Sequence, residues 1–426
     1  MRFSEALAEL DARQPERMVP DLSRITALAE LLDDPQLTYP TLHITGTNGK
    51  TTTARVVTSL ACAHGLTAGL YTSPHLLSVR ERIALCGVPI SEEEFTETYE
   101  HLLPFLRTVD GRGKRVTYFE TLTALSFLWF SDKPVSLGVF EVGMGGAWDA
   151  TNLVAGDVAV LCPIALDHPE LGSTVLEVAT EKAGIIKPGK VVVAREQPPD
   201  ALGVIRDRCR EYEARLVLEG PDFGIEERRQ AVGGQQLLVR GTEASYDDLF
   251  VPLVGEHAAR NAGAAVVALE AFLERPLSAD AVREGLAAAS SPGRLEIVGR
   301  HPLVVLDGAH NPAGAAALAG ALREAFTWER LHLVIAVSAN KDIPGIAAAL
   351  APLAARAYAT RNSSERSAPA DQVGRAMAAA GTPTETFGSV EEALVAAGAS
   401  AGARDLILVT GSLYTVADAR RTSEGS

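Results

Sequence analysis

Residues 42–53 read Leu-His-Ile-Thr-Gly-Thr-Asn-Gly-Lys-Thr-Thr-Thr, and their reading decides the fold. The apolar, partly β-branched "LHIT" has strand character, a Gly-Thr-Asn-Gly turn follows, and "TARVVTSLACAHG" carries a helical pattern. A strand running through a tight turn into a helix aims backbone N–H groups at an anion, most often a phosphate. The full phosphate-binding loop reads Gly-x4-Gly-Lys-Ser/Thr. Here the place of its first glycine is held by Ile44, while Gly46, Gly49, Lys50, Thr51 and Thr52 remain. A chance Gly-Lys-Thr in a surface turn would lack these flanks, so the stretch is expected to hold a nucleotide's phosphates.

Outward from this loop, strand-like runs alternate with Ala/Leu-rich helical stretches: "GLTAGLYT", "SLGVFEVG", "VAVLCPIALD" and "KVVVAR". Buried strands alternating with helices imply a mostly parallel sheet and an α/β fold. Residues 220–255 change character to polar-apolar alternation with Gly and Asp turns, as in antiparallel hairpins. "SSPGRLEIVGR" then marks a boundary, after which "PLVVLDGAHN", "LHLVIAVSAN", "AARAYATRN" and "DLILVTGS" begin a second α/β alternation. Two domains are expected, 1–291 carrying the phosphate loop and a smaller Rossmann-like 292–426, with a frayed polar tail at "RRTSEGS".

The formal net charge of −15 argues against a nucleic-acid or anionic-membrane surface, both of which need basic patches. No apolar run approaches the ~20 residues of a membrane span, and the charged N-terminus lacks a signal-peptide core. Cys62, Cys86, Cys162 and Cys209 show neither CxxC pairing nor zinc spacing and are expected to be reduced thiols of a cytoplasmic protein.

Several polar residues follow apolar strands, where ligands of parallel sheets sit. Glu141 ends "VFEVG" and could act as a magnesium carboxylate; an ordinary strand-end acid is the plainer alternative. Ser73, Pro74 and His75 follow "GLYT". Asp167 and His168 follow "VLCPIAL", with Lys182 in the helical stretch beyond. Asp307, His310 and Asn311 follow "VVL", and Gly411 and Ser412 follow "LILVT". "ANKD" at Asn340–Asp342 fails as a guanine element, since the chain continues with Ile343.

In chain order, GTNGKTT, YTSPHL, TYFETLTAL, EVGMGGAWDATN, LDH, EKAGIIKPG, PGRLEIV, LDGAHNP and VTGS resemble the folylpolyglutamate synthase/dihydrofolate synthase family of the Mur-ligase superfamily, whose members use a short GTxGKT loop of this kind. The resemblance runs from about Leu22 to Val416. It implies an ATP-dependent ligase that joins L-glutamate to dihydropteroate, to reduced folates or to both; beside it, the composition and charge lead to the expectation of a cytoplasmic protein without nucleic-acid or membrane partners, and a monomer is expected by default. The resemblance implies that Thr47, Asn48, Gly49, Lys50, Thr51 and Thr52 hold ATP, with Asn261, Arg294 and Asp307 as further nucleotide contacts. It implies that Ser73, Glu141 and His168 bind magnesium, and that a carbamylated Lys182 serves a second ion. Arg24, within "DLSRI", Thr117, Tyr118, Phe119, Glu120, Trp148, Asp149 and Ala150 match segments bordering the pterin. His310 and Ser412 match residues near the incoming glutamate and the phosphate; Lys50, Lys182 and His310 carry the catalytic expectation.

The chemistry has a physical logic. A carboxylate would have to expel oxide, so it is a poor acylating agent until phosphorylation turns that oxygen into a phosphate leaving group. Two anions must then meet, which requires neutralisation by a metal, a lysine and loop amides. The chain departs from the family pattern at Ala147-Trp148, where Arg-Leu is common, and at Thr51, where many members have glycine. A peptidoglycan-type Mur ligase is the nearest rival, but the 45 residues before Gly46 are fewer than a typical ~100-residue domain. A non-catalytic nucleotide-gated binder is the other alternative; joint retention of Lys50, Glu141, His168 and Lys182 disfavours it.

Overall fold

The computed structural model describes residues 1–14 and 20–424, except for the side chains of 423 and 424. The chain divides into two compact units, the first comprising 1–229, 236–252 and 260–289, and the second 230–235, 253–259 and 290–426.

The first unit is built on an eight-stranded sheet. Its strands are β1 (Thr41–Thr45), β2 (Ala68–Tyr71), β3 (Ile83–Leu85), β4 (Val88–Pro89), β5 (Leu137–Glu141), β6 (Val158–Leu161), β7 (Val191–Ala194) and β8 (Arg215–Leu218). They lie in the order β4-β3-β2-β5-β1-β6-β7-β8. From β2 to β8 every pairing is parallel, and β3 and β4 add an antiparallel edge. β1 is buried along its whole length between β5 and β6, with its polar Thr41, His43 and Thr45 enclosed beside Leu42 and Ile44. The loops after β1, β2, β5 and β6 therefore leave the same edge of the sheet, where the crevice of an open α/β sheet lies.

The helix Tyr118–Asp132 is buried along Glu120–Phe130 and packs with Phe95, Tyr99, Phe127, Phe130 and Phe140 in one apolar cluster. Its N-terminus is fixed by a reciprocal cap. Glu120 N donates to Thr117 Oγ1 at 3.3 Å, and Glu120 Oε2 accepts from Thr117 N at 2.8 Å. The hairpin-like stretch becomes a three-stranded sheet of β9 (Gly224–Ala231), β10 (Gly234–Arg240) and β11 (Ser245–Val251). The two-residue link from β9 to β10 is one only an antiparallel pair can take.

The second unit holds six strands: β12 (Glu296–Arg300), β13 (Leu303–Leu306), β14 (Leu331–Ile335), β15 (Arg356–Ala359), β16 (Thr384–Thr386) and β17 (Leu406–Thr410). Their order is β12-β13-β17-β14-β15-β16, parallel except for β12 against β13. "ANKD" is a helix start: Asp342 accepts from Gly345 N at 2.9 Å and caps Ile343–Leu350.

Two expectations are corrected. Cys62 and Cys86 are not free thiols but a disulfide; Cys162 and Cys209 are free, both buried. The helix Lys50–Ala63 delivers Cys62 beside the turn between β3 and β4, with the Cα atoms 5.9 Å apart, inside bonding range. Nothing in a separation of 24 residues announces that meeting. The "RRTSEGS" tail is not frayed over its described part, because the last helix runs from Leu413 to Glu424 and Arg420 pairs with Glu296. Residues 425 and 426 lie outside the described residues. Among the described residues no helix is long and apolar enough to cross a membrane.

Candidate active site

The shortened loop begins at Gly46, whose φ is 145°. A Cβ there would meet Cys162 Cβ at 2.5 Å and Cys162 backbone at 2.9 Å, so the loop lies flat on the end of β6. Thr47 fixes it: its N–H donates to Pro163 O at 2.9 Å, its hydroxyl donates to Ala165 O at 2.8 Å, and it accepts from Ala165 N at 2.9 Å. The Thr47 side chain thus shapes the loop. Gly49, at φ 93°, precedes the helix Lys50–Ala63, and a Cβ there would meet Asn261 Oδ1 at 2.8 Å. Asn261 is buried and accepts from Arg195 Nη1, while Arg195 Nε pairs with Glu219 at 2.8 Å. The structure thus brings Asn261 onto the loop and adds Arg195, which "KVVVAR" gave no reason to single out. Asn48 is half-buried in the turn and Thr52 is buried in the first turn of the helix.

Two amines converge on one carbonyl. Lys50 Nζ donates to Gly46 O at 2.9 Å and to Thr47 O at 3.3 Å, and Lys182 Nζ donates to Gly46 O at 2.9 Å. Lys182 is 4% exposed. Burial and then the neighbouring Lys50 charge pull its pKa down to about 7, so near neutrality much of it is an uncharged amine.

A carboxylate stands beside them. Glu141, 1% exposed, accepts from Thr51 Oγ1 at 2.7 Å and from Ser73 N at 3.2 Å. Three expected residues from three strand ends therefore meet. His168 instead pairs with Asp167 at 3.2 Å and is one-third exposed along its side chain. Among the described residues no three His, Cys, Asp or Glu side chains form a metal cluster. Thr51 and Glu141 offer hard oxygens for a cation here, with Ser73 beside them.

On the side expected for the pterin, Arg24 Nε donates to Glu120 Oε1 at 3.0 Å and Oε2 at 2.9 Å. Glu120 and Thr117 are thus engaged in the helix cap and this ion pair. Asp21 accepts from Lys114 at 2.7 Å and from Ser23, and these bonds hold its carboxyl well below the usual carboxylate range. Phe119 lies 6.0 Å from Tyr71, ring to ring, and against Gly143, where a Cβ would meet it at 2.5 Å. Asp149 is buried and accepts from Met144 N at 2.9 Å, Thr151 N at 3.0 Å and Thr151 Oγ1 at 2.6 Å. Burial raises its pKa against those bonds. Thr151 uses its hydroxyl hydrogen on Asp149, so His43 Nε2, at 2.8 Å, is the donor to Thr151. Burial brings the His43 pKa down to about 3, keeping it neutral beneath the site. Ala150 is buried in the following turn. Trp148 packs on the cluster of Leu171, Val178 and Ile185, so the ring that departs from the family pattern serves as packing.

In the second unit, β13 and β17 are parallel neighbours with Leu306 opposite Val409, so both of its motifs leave one edge. Asp307 is buried and accepts from Leu295 N at 2.9 Å and Ala309 N at 2.8 Å. Arg294 lies against Gly308, where a Cβ would meet its Nη1 at 2.5 Å. His310 Nδ1 is 2.8 Å from Gly308 O; a carbonyl only accepts, so this nitrogen bears a proton, and in the neutral ring the lone pair lies on Nε2. Asn311 accepts from Gly314 N at 2.8 Å and caps the next helix. Ser412, buried after the left-handed Gly411, accepts from Tyr414 N at 3.2 Å.

Residues 44–269 match the Mur ligase middle domain, and residues 293–413 match the Mur ligase glutamate ligase domain. A dihydrofolate synthase/folylpolyglutamate synthase of Mycobacterium tuberculosis is 44% identical over 377 residues, 84% of this chain and 77% of its own. One of Bacillus subtilis is 31% identical over 98% of each chain. Among solved structures, the Mycobacterium tuberculosis folylpolyglutamate synthase complexed with ADP superposes with a TM-score of 0.95 at 39% identity, covering 99% of this chain and 98% of that one. Escherichia coli FolC in complex with DHPP and ADP gives 0.90 at 31% identity, covering 100% and 98%. The chain belongs to the folylpolyglutamate synthase/dihydrofolate synthase family of Mur ligases, and is an ATP-dependent amide-forming enzyme.

Proposed function

We propose that this enzyme adds L-glutamate both to dihydropteroate and to the γ-carboxylate of reduced folates, as a cytoplasmic monomer. The observation that carries the reading is the convergence of Lys50 and Lys182 on the Gly46 carbonyl beside the Thr51–Glu141 pair. That arrangement offers positive charge for phosphate oxygens next to hard oxygen ligands for a cation.

An acceptor carboxylate oxygen attacks the γ-phosphorus of ATP, the bond to the departing ADP breaks, and an acyl phosphate forms. Lys50 and the loop amides neutralise the charge spread over the transferred oxygens. The donor set fits magnesium, which takes one or two carboxylates and fills its shell with phosphate oxygens and water. Thr51 and Glu141 would hold it with Ser73 close by, and it would supply further neutralisation of the phosphates. The uncharged form of Lys182, populated near neutrality by its lowered pKa, is the one that adds carbon dioxide; the carbamate would replace a cation by an anionic ligand for a second magnesium, with His168 as a further ligand. Asn261, Arg294 and Asp307 serve the nucleotide. The segments carrying Arg24, Thr117, Tyr118, Phe119, Glu120, Trp148, Asp149 and Ala150 border the pterin. The glutamate amine then attacks the acyl carbon, phosphate leaves, and the amine proton passes to a base. His310 Nε2 fits that role, with Ser412 on the phosphate or glutamate.

The test is ADP release in the presence of ATP, magnesium and glutamate, with dihydropteroate in one reaction and tetrahydrofolate in another. Glutamate-dependent ADP release in both, with products one glutamate heavier by mass, is the expected result. Release with one acceptor alone would remove the dual activity. Silence with both, from folded protein that binds ATP, would overturn the reading.

A further inference from the structure

Among the described residues, the buried arginines of the first unit have carboxylate partners, with one exception. Arg13 pairs with Asp110 at 3.1 Å and Arg195 with Glu219 at 2.8 Å. Arg82 is as buried as Arg13, at 8% exposure, yet no carboxylate of the described residues pairs with it. Its Nε donates to His75 Nδ1 at 2.9 Å, and its guanidinium carbon stands 5.5 Å from the centre of the Tyr118 ring. Neither Nη meets a hydrogen-bond acceptor among the described residues, and neither is sealed from solvent, so the outer edge of the fork reaches open space. A buried guanidinium without a counter-charge is costly. A fork steadied on one side by His75 and Tyr118 and open on the other matches a carboxylate in geometry and charge.

Its place narrows which carboxylate. Thr72 N donates to Arg82 O at 2.9 Å, and Tyr71 at the end of β2 faces Ile83 in β3. Arg82 therefore stands at the sheet edge where Glu141 and Ser73 meet. In the strand order β3-β2-β5-β1, three strand spacings, about 14 Å, separate its backbone from the phosphate loop. That is too far for its backbone to belong to the phosphate cradle. It is a suitable distance for an arginine side chain to reach a second acidic group on the same acceptor. The carboxylate being phosphorylated must lie at the loop, so Arg82 faces another.

We propose that Arg82 binds the α-carboxylate of the terminal glutamate of a folate acceptor, and so is a specificity residue for chain extension. This rests on the proposed function. Dihydropteroate has a single carboxylate, the reacting one, and gains nothing from Arg82.

The experiment compares Arg82→Gln with wild type on tetrahydrofolate, on dihydropteroate and on tetrahydropteroyl-γ-aminobutyrate, which keeps the γ-carboxylate but lacks the α. The expected loss in kcat/KM on tetrahydrofolate is about 10- to 100-fold, the scale of a hydrogen bond to a charged group. Dihydropteroate and the analogue should keep their wild-type values, and KM for ATP should not move. Equal loss on all three acceptors, or no loss on tetrahydrofolate, overturns the proposal. Should Arg82→Gln melt early, Arg82→Lys retains charge without the fork and must show the same selectivity. Wild type must itself prefer tetrahydrofolate over the analogue. Wild-type enzyme inactive on every acceptor would instead sink the proposed function.

Discussion

Lys50→Ala should lower kcat by about a thousandfold or more, with the melting temperature unchanged. Phosphoryl transfer to a carboxylate brings two anions together, and a preorganised cation on the transferred oxygens contributes on that scale. The amine lies over the loop, with Nζ on Gly46 O and Thr47 O, where strand, turn and helix N-terminus aim at one point. The fold does not depend on it. The loop is held by Thr47 on Ala165, by Gly46 against Cys162 and by Thr51 on Glu141. Steady-state kinetics with a thermal melt on the same preparation checks this; a folded Lys50→Ala enzyme within about tenfold of wild type would contradict the assigned role.

Lys182→Met should abolish turnover to a similar degree while leaving the protein as stable as wild type or more so. The sign follows from the amine's depressed pKa. Folded, it titrates near 7, far below the 10.5 of an ordinary lysine. Protonation therefore favours the unfolded chain, by about 1.4 kcal/mol for each pH unit separating the two titrations. The cost is fully present below pH 7 and fades as pH rises from 7 towards 10.5. Removing the amine should thus raise the melting temperature most on the acid side of neutrality, offset by loss of the bond to Gly46 O. The same titration predicts that wild-type activity falls as pH drops through 7, because the ammonium form cannot take up carbon dioxide. Depleting carbon dioxide should lower activity, and carbon-13 labelled bicarbonate should give a carbamate resonance that Lys182→Met lacks. A Lys182→Met enzyme that turns over normally would remove the carbamate from the mechanism.

The fold was legible where local pattern and burial agree. β6 and β7 are continuous apolar runs, and a strand buried on both faces leaves that imprint; β1 and β5 carry it with polar residues interspersed. The strand-end positions of Thr51, Ser73 and Glu141 followed from the same alternation, because parallel strands send their following loops to one edge. Contacts that depend on long-range approach left no such trace. Cys62 and Cys86 meet only because a helix end lies beside a hairpin turn. Arg195 and His43 sit in apolar stretches where nothing marks them as the partners of Asn261 and Thr151. Glu120 and Asp149 read as substrate contacts by resemblance, while their immediate partners are a helix cap, an arginine and a turn. Gly46 explains the missing glycine of the opening motif: the shortened loop needs its left-handed residue against Cys162, and Ile44 is free to be buried in β1.

At the centre of the mechanism, the acceptor carboxylate is activated as an acyl phosphate. Dihydropteroate labelled with oxygen-18 in both carboxylate oxygens tests it directly. One labelled oxygen should appear in the inorganic phosphate released for each amide formed, alongside ADP. Unlabelled phosphate, with both labelled oxygens accounted for elsewhere, would contradict the account.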